Sequence, residues 1–114
     1  MKKEFILKKN RDFNNIINNG KVVRSRNFVI YYTKSTEENP KFGFSVGKKI
    51  GNAVTRNKVK RQLKNILNKE KYTKNIQCVI ITKKGILNLN YIEIQMELLT
   101  LLKKAGIIIW KTSI

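Results

Sequence analysis

Lys48-Lys49-Ile50-Gly51-Asn52-Ala53-Val54-Thr55-Arg56-Asn57-Lys58-Val59-Lys60-Arg61-Gln62-Leu63-Lys64 is the stretch that decides the reading of this chain. A glycine precedes Asn52, a good N-cap residue, and a helical pattern follows to about Asn68. On a helical wheel Val59, Leu63, Ile66 and Leu67 form one apolar stripe, while Asn57, Lys60, Arg61 and Lys64 gather on the opposite side. Arg56 sits nearer the apolar edge and Lys58 on a flank. Residues 41–69 contain no aspartate or glutamate. A merely solvated face usually mixes signs and gains helix support from glutamate–lysine pairs. An acid-free face instead points to a polyanion, with nucleic acid the first choice. Arg61 offers a planar fork for bidentate contacts and the lysines act as point charges. Asn57 both donates and accepts, so it can read a base edge or a 2′-hydroxyl.

Upstream, Phe42, Phe44 and Val46 alternate with Gly43, Ser45 and Gly47. This pattern predicts a strand with one bulky face toward the core and one bare face, which leaves room for another molecule or a backbone to come close. Residues 34–40 are polar, hold the only proline and read as a loop. Residues 22–33 read as one strand, with Phe28, Ile30 and Tyr32 on one face and Val29, Tyr31 and Thr33 on the other. Asn10 is a candidate cap for a short helix reaching about Asn19, with Gly20 as its stop; Phe13, Ile16 and Ile17 share a face of it. Downstream, Ile76–Thr82 reads as a strand, and Asn90-Tyr91-Ile92-Glu93 as a capping box opening a helix through about Lys104. Ala105-Gly106 ends it, and residues 107–110 form an apolar tail, a strand or a packing flap. The order α-β-β-α-β-α predicts an α+β fold, a small two-layer sandwich of helices on a short sheet. Without a linker or internal repeat, residues 1–114 read as a single domain.

Composition narrows the function. Lys plus Arg number 25 against 7 acids, a net charge of +18 that would repel itself without a neutralising partner. No histidine is present, which removes the commonest general base and a Cys/His zinc site. Cys78, the only cysteine, reads as a small buried core residue and fits a reducing cytoplasm. No apolar run approaches the ~20 residues of a membrane span, and the basic start lacks the apolar region of a signal peptide. Gly43-Phe44-Ser45-Val46-Gly47-Lys48-Lys49 has the wrong spacing for a phosphate-binding loop and no hydroxyl residue after the lysine. The acids form no spaced pair for a metal nuclease, so no catalytic residue, metal site or small-molecule substrate is expected.

Read together, Phe44-Ser45-Val46-Gly47-Lys48-Lys49-Ile50-Gly51-Asn52-Ala53-Val54-Thr55-Arg56-Asn57-Lys58-Val59-Lys60-Arg61 resembles the signature of the bacterial ribonuclease P protein subunit. Leu7-Lys8-Lys9, then Asp12-Phe13, is similar to the family's opening helix, and Phe28-Val29-Ile30-Tyr31 to its first strand. The resemblance implies a ribosomal protein S5 domain 2-like fold with a left-handed βαβ crossover. It implies a cytoplasmic, non-catalytic subunit of an endoribonuclease whose RNA carries Mg²⁺ and removes the 5′ leader of precursor tRNA. The partners would be that catalytic RNA and precursor tRNA, with no membrane and no cofactor bound by the protein alone. Lys48, Lys49, Asn52, Arg56, Asn57, Lys58, Lys60, Arg61 and Lys64 would contact the RNA subunit. Phe13, Ile17, Tyr31 and Ser45 would line a central cleft for the single-stranded leader, where rings beside small residues make a stacking platform. Lys58 and Lys64 stand where the family often has arginine, which keeps charge but loses the fork, and Ile17 where an aromatic is common. Two rivals remain at this stage: a structural RNA binder of ribosomal type, and a DNA binder using the basic helix in the major groove.

Overall fold

The structure, a computed structural model, describes residues 1–108. The part of the expected apolar tail beyond residue 108 lies outside them. Helix α1 spans Asn10–Asn19, strands β1, β2 and β3 span Lys21–Arg24, Phe28–Lys34 and Lys41–Val46, α2 spans Ala53–Leu67, β4 spans Ile76–Thr82 and α3 spans Tyr91–Lys104. Short 3-10 turns at Lys3–Phe5, Lys48–Ile50 and Lys84–Asn88 join them. The expected α+β architecture is present as a four-stranded mixed sheet in the order β1-β2-β4-β3. The β1/β2 and β2/β4 pairs are antiparallel, while β3/β4 is parallel. Parallel neighbours need a long crossover, and α2 supplies it.

The main core lies on one face of the sheet. Phe28, Ile30, Phe42, Cys78 and Ile80 pack there against Val59, Leu63, Ile66 and Leu67 of α2 and Ile94, Leu98, Leu101 and Leu102 of α3. The α2 residues are the stripe that the 3.6-residue period predicts. Burial pushes the Cys78 thiol up, so it stays neutral and serves as a small apolar filler, as its strand context implied. On the other face α1 seats Ile16 against Leu7 and Val79, ringed by Phe13, Ile17, Tyr31 and Ile81. The opposite tilt of Tyr31 and Tyr32 follows from strand alternation: Tyr31 joins the α1 side and Tyr32 the main core.

Two local expectations change. Residues 22–33 are not one strand but a hairpin, folding back through Ser25, Arg26 and Asn27. Buried Asn27 locks the turn: its backbone N–H and Nδ2 donate to the Glu97 carboxylate at 2.8 and 2.7 Å, and Ser25 Oγ donates at 2.5 Å. Burial pushes the Glu97 carboxyl up, but these hydrogen bonds and nearby Arg26 outweigh it and hold the group below its ordinary value. The polar run Arg24-Ser25-Arg26-Asn27 was the turn signal in the sequence. Asn10 is the first helical residue rather than the cap; Lys9 holds the cap position, with no side-chain hydrogen bond. Gly20 does stop α1, in extended conformation rather than the left-handed region, with its N–H on the Ile16 carbonyl at 2.8 Å. A Cβ there would lie 2.5 Å from that carbonyl oxygen and 2.8 Å from the Tyr32 carbonyl oxygen.

Candidate nucleic-acid interface

Helix α2 is presented by a stiff entry. Ile50 is buried and pins the 3-10 turn, which leaves Lys48 and Lys49 exposed. Asn52 Oδ1 then accepts from the Thr55 N–H at 3.0 Å, the cap expected from sequence. With Val59 and Leu63 buried, Asn57, Lys58 and Arg61 face solvent, and Lys60 and Lys64 are half-exposed. Arg56 lies at the apolar edge, half-buried, with its Nε unpartnered among the described residues. Among the described residues none of Lys48, Lys49, Lys58, Lys60, Arg61 and Lys64 forms an ion pair. The recorded pairs, Lys41–Glu37 and Lys74–Glu38, lie elsewhere. The positive field of α2 is therefore not cancelled at short range.

The same helix borders a cleft of about 420 Å³ at the β3 edge of the sheet. Phe44 and Ser45 contribute from β3, Asn10 and Phe13 from α1, Lys60 and Lys64 from α2, and Lys8 from the segment before α1. Lys64 Nζ stands 5.9 Å from the centroid of the Phe44 ring, a cation–π distance. Phe13 lies over Gly43, where an added Cβ would come within 2.5 Å of the ring. The bare face of β3 is thus covered at Gly43 by the chain's own aromatic ring, while space is open at Gly47, just past the strand, where a Cβ would meet nothing within 4 Å.

Of the residues predicted for a leader cleft, Phe13 and Ser45 line this space. Ile17 and Tyr31 lie on the same sheet face, packed around the Ile16–Val79 cluster and half-buried. Lys60 and Lys64, read from sequence as part of the α2 surface, also form a wall of the cleft, so the two surfaces share a border. Sequence reasoning missed Lys8, Asn10 and Phe44. The signal was present in Lys8-Lys9-Asn10, a basic pair running into a helix start, where backbone N–H groups and the dipole favour anions. Phe44 does pack against the main core, as alternation predicts, but at an edge strand its ring is only half-buried and also borders the cleft. Among the described residues no group of His, Cys, Asp or Glu side chains comes together to hold a metal ion. No helix among them is long and apolar enough to cross a membrane.

Fold and surface define a small, strongly basic α+β protein with an acid-free helix, α2, that borders a cleft lined by Lys8, Lys60 and Lys64. The ribonuclease P family model matches residues 1–106. The chain is 40% identical over 109 residues to the ribonuclease P protein component of Streptococcus agalactiae, covering 95% of this chain and 100% of that one. It is 44% identical over 107 residues to the component of Mycoplasma capricolum, covering 91% and 98%. Among solved structures, a Staphylococcus aureus RNase P protein mutant with defective mRNA degradation activity superposes with a TM-score of 0.87 at 32% identity, covering 92% of this chain and 91% of that chain. The Thermotoga maritima RNase P protein superposes at 0.79 and 30% identity, covering 86% and 94%. The chain belongs to the ribonuclease P protein family, and with it to the ribonuclease P complex of tRNA processing.

Proposed function

We propose that this chain is the non-catalytic protein subunit of ribonuclease P, acting in the cytoplasm. Through Lys48, Lys49, Asn52 and the polar face of α2 it docks on the catalytic RNA, and through the cleft it holds the single-stranded 5′ leader of precursor tRNA. The observation that carries this reading is the acid-free face of α2 running without a break into a cleft lined by Phe13, Phe44 and Ser45. Arg61 offers bidentate contacts to phosphate, while Lys58, Lys60 and Lys64 supply charge. Phe13 offers a ring for an unpaired base, and Lys60, Lys64 and Lys8 surround the phosphates that follow it. The RNA would supply Mg²⁺ and the activated water. The protein adds positive charge and a groove, which tightens substrate binding and lowers the cation concentration needed to offset phosphate repulsion. The family assignment favours this over a ribosomal-type structural role or duplex DNA binding.

One substitution separates the surfaces. Phe13→Ala should weaken binding of leader-bearing precursor more than mature tRNA, while leaving assembly with the RNA subunit intact. Equal losses for precursor and mature tRNA would reduce Phe13 to a packing residue and remove the leader cleft from the account.

A further inference from the structure

A second concave basic surface lies where β2 ends and β4 begins. It is a groove of about 560 Å³, bordered by Lys21, Lys34 and Lys74, with Asn19, Thr33 and the half-buried ring of Tyr32 in its walls. No aspartate or glutamate lines it. The groove beside α3, by contrast, contains Glu93 and Glu97. Lys21 and Lys34 have no ion-pair partner among the described residues. Lys74 meets Glu38 at 3.5 Å with both side chains largely exposed, a contact too weak to neutralise it.

The groove is preformed rather than loose. Asn75 has φ +59°, in the left-handed region, and is held there from three sides. The Ser35 N–H donates to the Asn75 carbonyl at 2.8 Å, the Asn75 N–H to the Glu38 carbonyl at 3.1 Å, and Asn75 Nδ2 to the Glu37 carbonyl at 2.9 Å. The sheet register also separates this groove from the start of α2. Lys34 pairs with Ile76 at one end of β4, and Val46 pairs with Thr82 at the other, after which the α2 cations begin. At about 3.3 Å per residue the two ends are roughly 20 Å apart. Phosphates held by the start of α2 cannot be the ones that reach Lys34.

We propose that this groove is a second RNA-backbone site, apart from the phosphates held at the start of α2. The proposal rests on the reading of α2 as an RNA-binding face. Three point charges without an arginine fork fit phosphodiester positioning rather than sequence readout. The backbone belongs either to the RNA subunit or to precursor tRNA, and the test separates them.

The triple variant Lys21→Ala/Lys34→Ala/Lys74→Ala is compared with a charge-matched control, Lys2→Ala/Lys3→Ala/Lys71→Ala. One arm measures binding to the ribonuclease P RNA across a salt series, the other binding of precursor tRNA to the assembled complex. Thermal melts confirm that both variants fold. The groove variant should lose about 2 units of slope in log K against log salt, at roughly 0.7 per phosphate, in the arm that contains its partner. The control should lose less than about half of that. Equal losses for the two triples, or no loss in either arm, would overturn the groove while leaving α2 untouched. A wild-type chain that binds neither RNA would overturn both readings.

Discussion

Gly43→Ala is the substitution that tests how the cleft is built. The added Cβ would stand 2.5 Å from Cζ and 2.7 Å from Cε1 of Phe13. Ordinary carbon contacts begin near about 3.5 Å, so the ring has to move by roughly 1 Å. Helix α1 cannot easily lift as a whole, because Ile16 is fully buried against the sheet. The half-buried ring therefore swings, and the cost should fall at about 1–2 kcal/mol, the lower part of the range for overpacking. For a chain of this size that lowers Tm by about 4–8 °C. The functional effect should be selective. A displaced ring loses base stacking worth about 1–3 kcal/mol, and 1.4 kcal/mol is tenfold in affinity. Calorimetric melting and equilibrium binding of precursor against mature tRNA read the two effects. The expected result is a roughly tenfold smaller preference for leader-bearing substrate, with RNA-subunit affinity unchanged. A variant with wild-type Tm and wild-type leader preference would refute the placement of Phe13 over Gly43 as the basis of the site.

Other perturbations follow from the same geometry. Gly20→Ala places a Cβ against two backbone carbonyls, which cannot swing aside as a ring can, and should cost about 1–3 kcal/mol in chemical denaturation; a neutral result would mean that α1 is not fixed to β2 there. Arg61→Ala should weaken assembly with the RNA subunit by about 1–3 kcal/mol, read by titration at fixed salt, and unchanged affinity would remove Arg61 from the interface. Glu97→Ala leaves the Asn27 N–H and Nδ2 without their acceptor and should destabilise by about 1–3 kcal/mol. Because the folded-state pKa of Glu97 is lowered, its contribution is present above the ordinary carboxylate value of 4.5 and is lost as pH falls through the lower folded value. Denaturation across pH should therefore show wild type and Glu97→Ala converging in acid, and a constant gap would refute that linkage.

The elements with one dominant signal were legible in the sequence. The α2 stripe, the Asn52 cap, the Asn90–Glu93 capping box and the alternation of β3 each rest on local periodicity or local hydrogen bonding, and each stands in the structure. The β1–β2 hairpin has only a weak local signal, the polar run Arg24-Ser25-Arg26-Asn27, because the contact that fixes its turn comes from α3, through Glu97, some 70 residues away. Nothing local to residues 22–33 shows that contact. Asn10 was misjudged because a good cap residue type does not choose its position; Lys9 precedes the helix with extended backbone and makes no side-chain cap. For the candidate site, alternation revealed the bare face of β3 but not what covers it. That Phe13 sits over Gly43, and that Lys60 and Lys64 turn toward the cleft, depends on how α1 and α2 pack on opposite faces beside the same edge strand. Lys21, Lys34 and Lys74 come together only through the sheet register.

The most direct test of the central claim is cleavage of a 5′-extended precursor tRNA by a bacterial ribonuclease P RNA at low Mg²⁺, with and without this protein. The account predicts strong stimulation by the protein and no cleavage by the protein alone. Tight binding to the RNA without stimulation, or cleavage by the protein in the absence of the RNA, would contradict it.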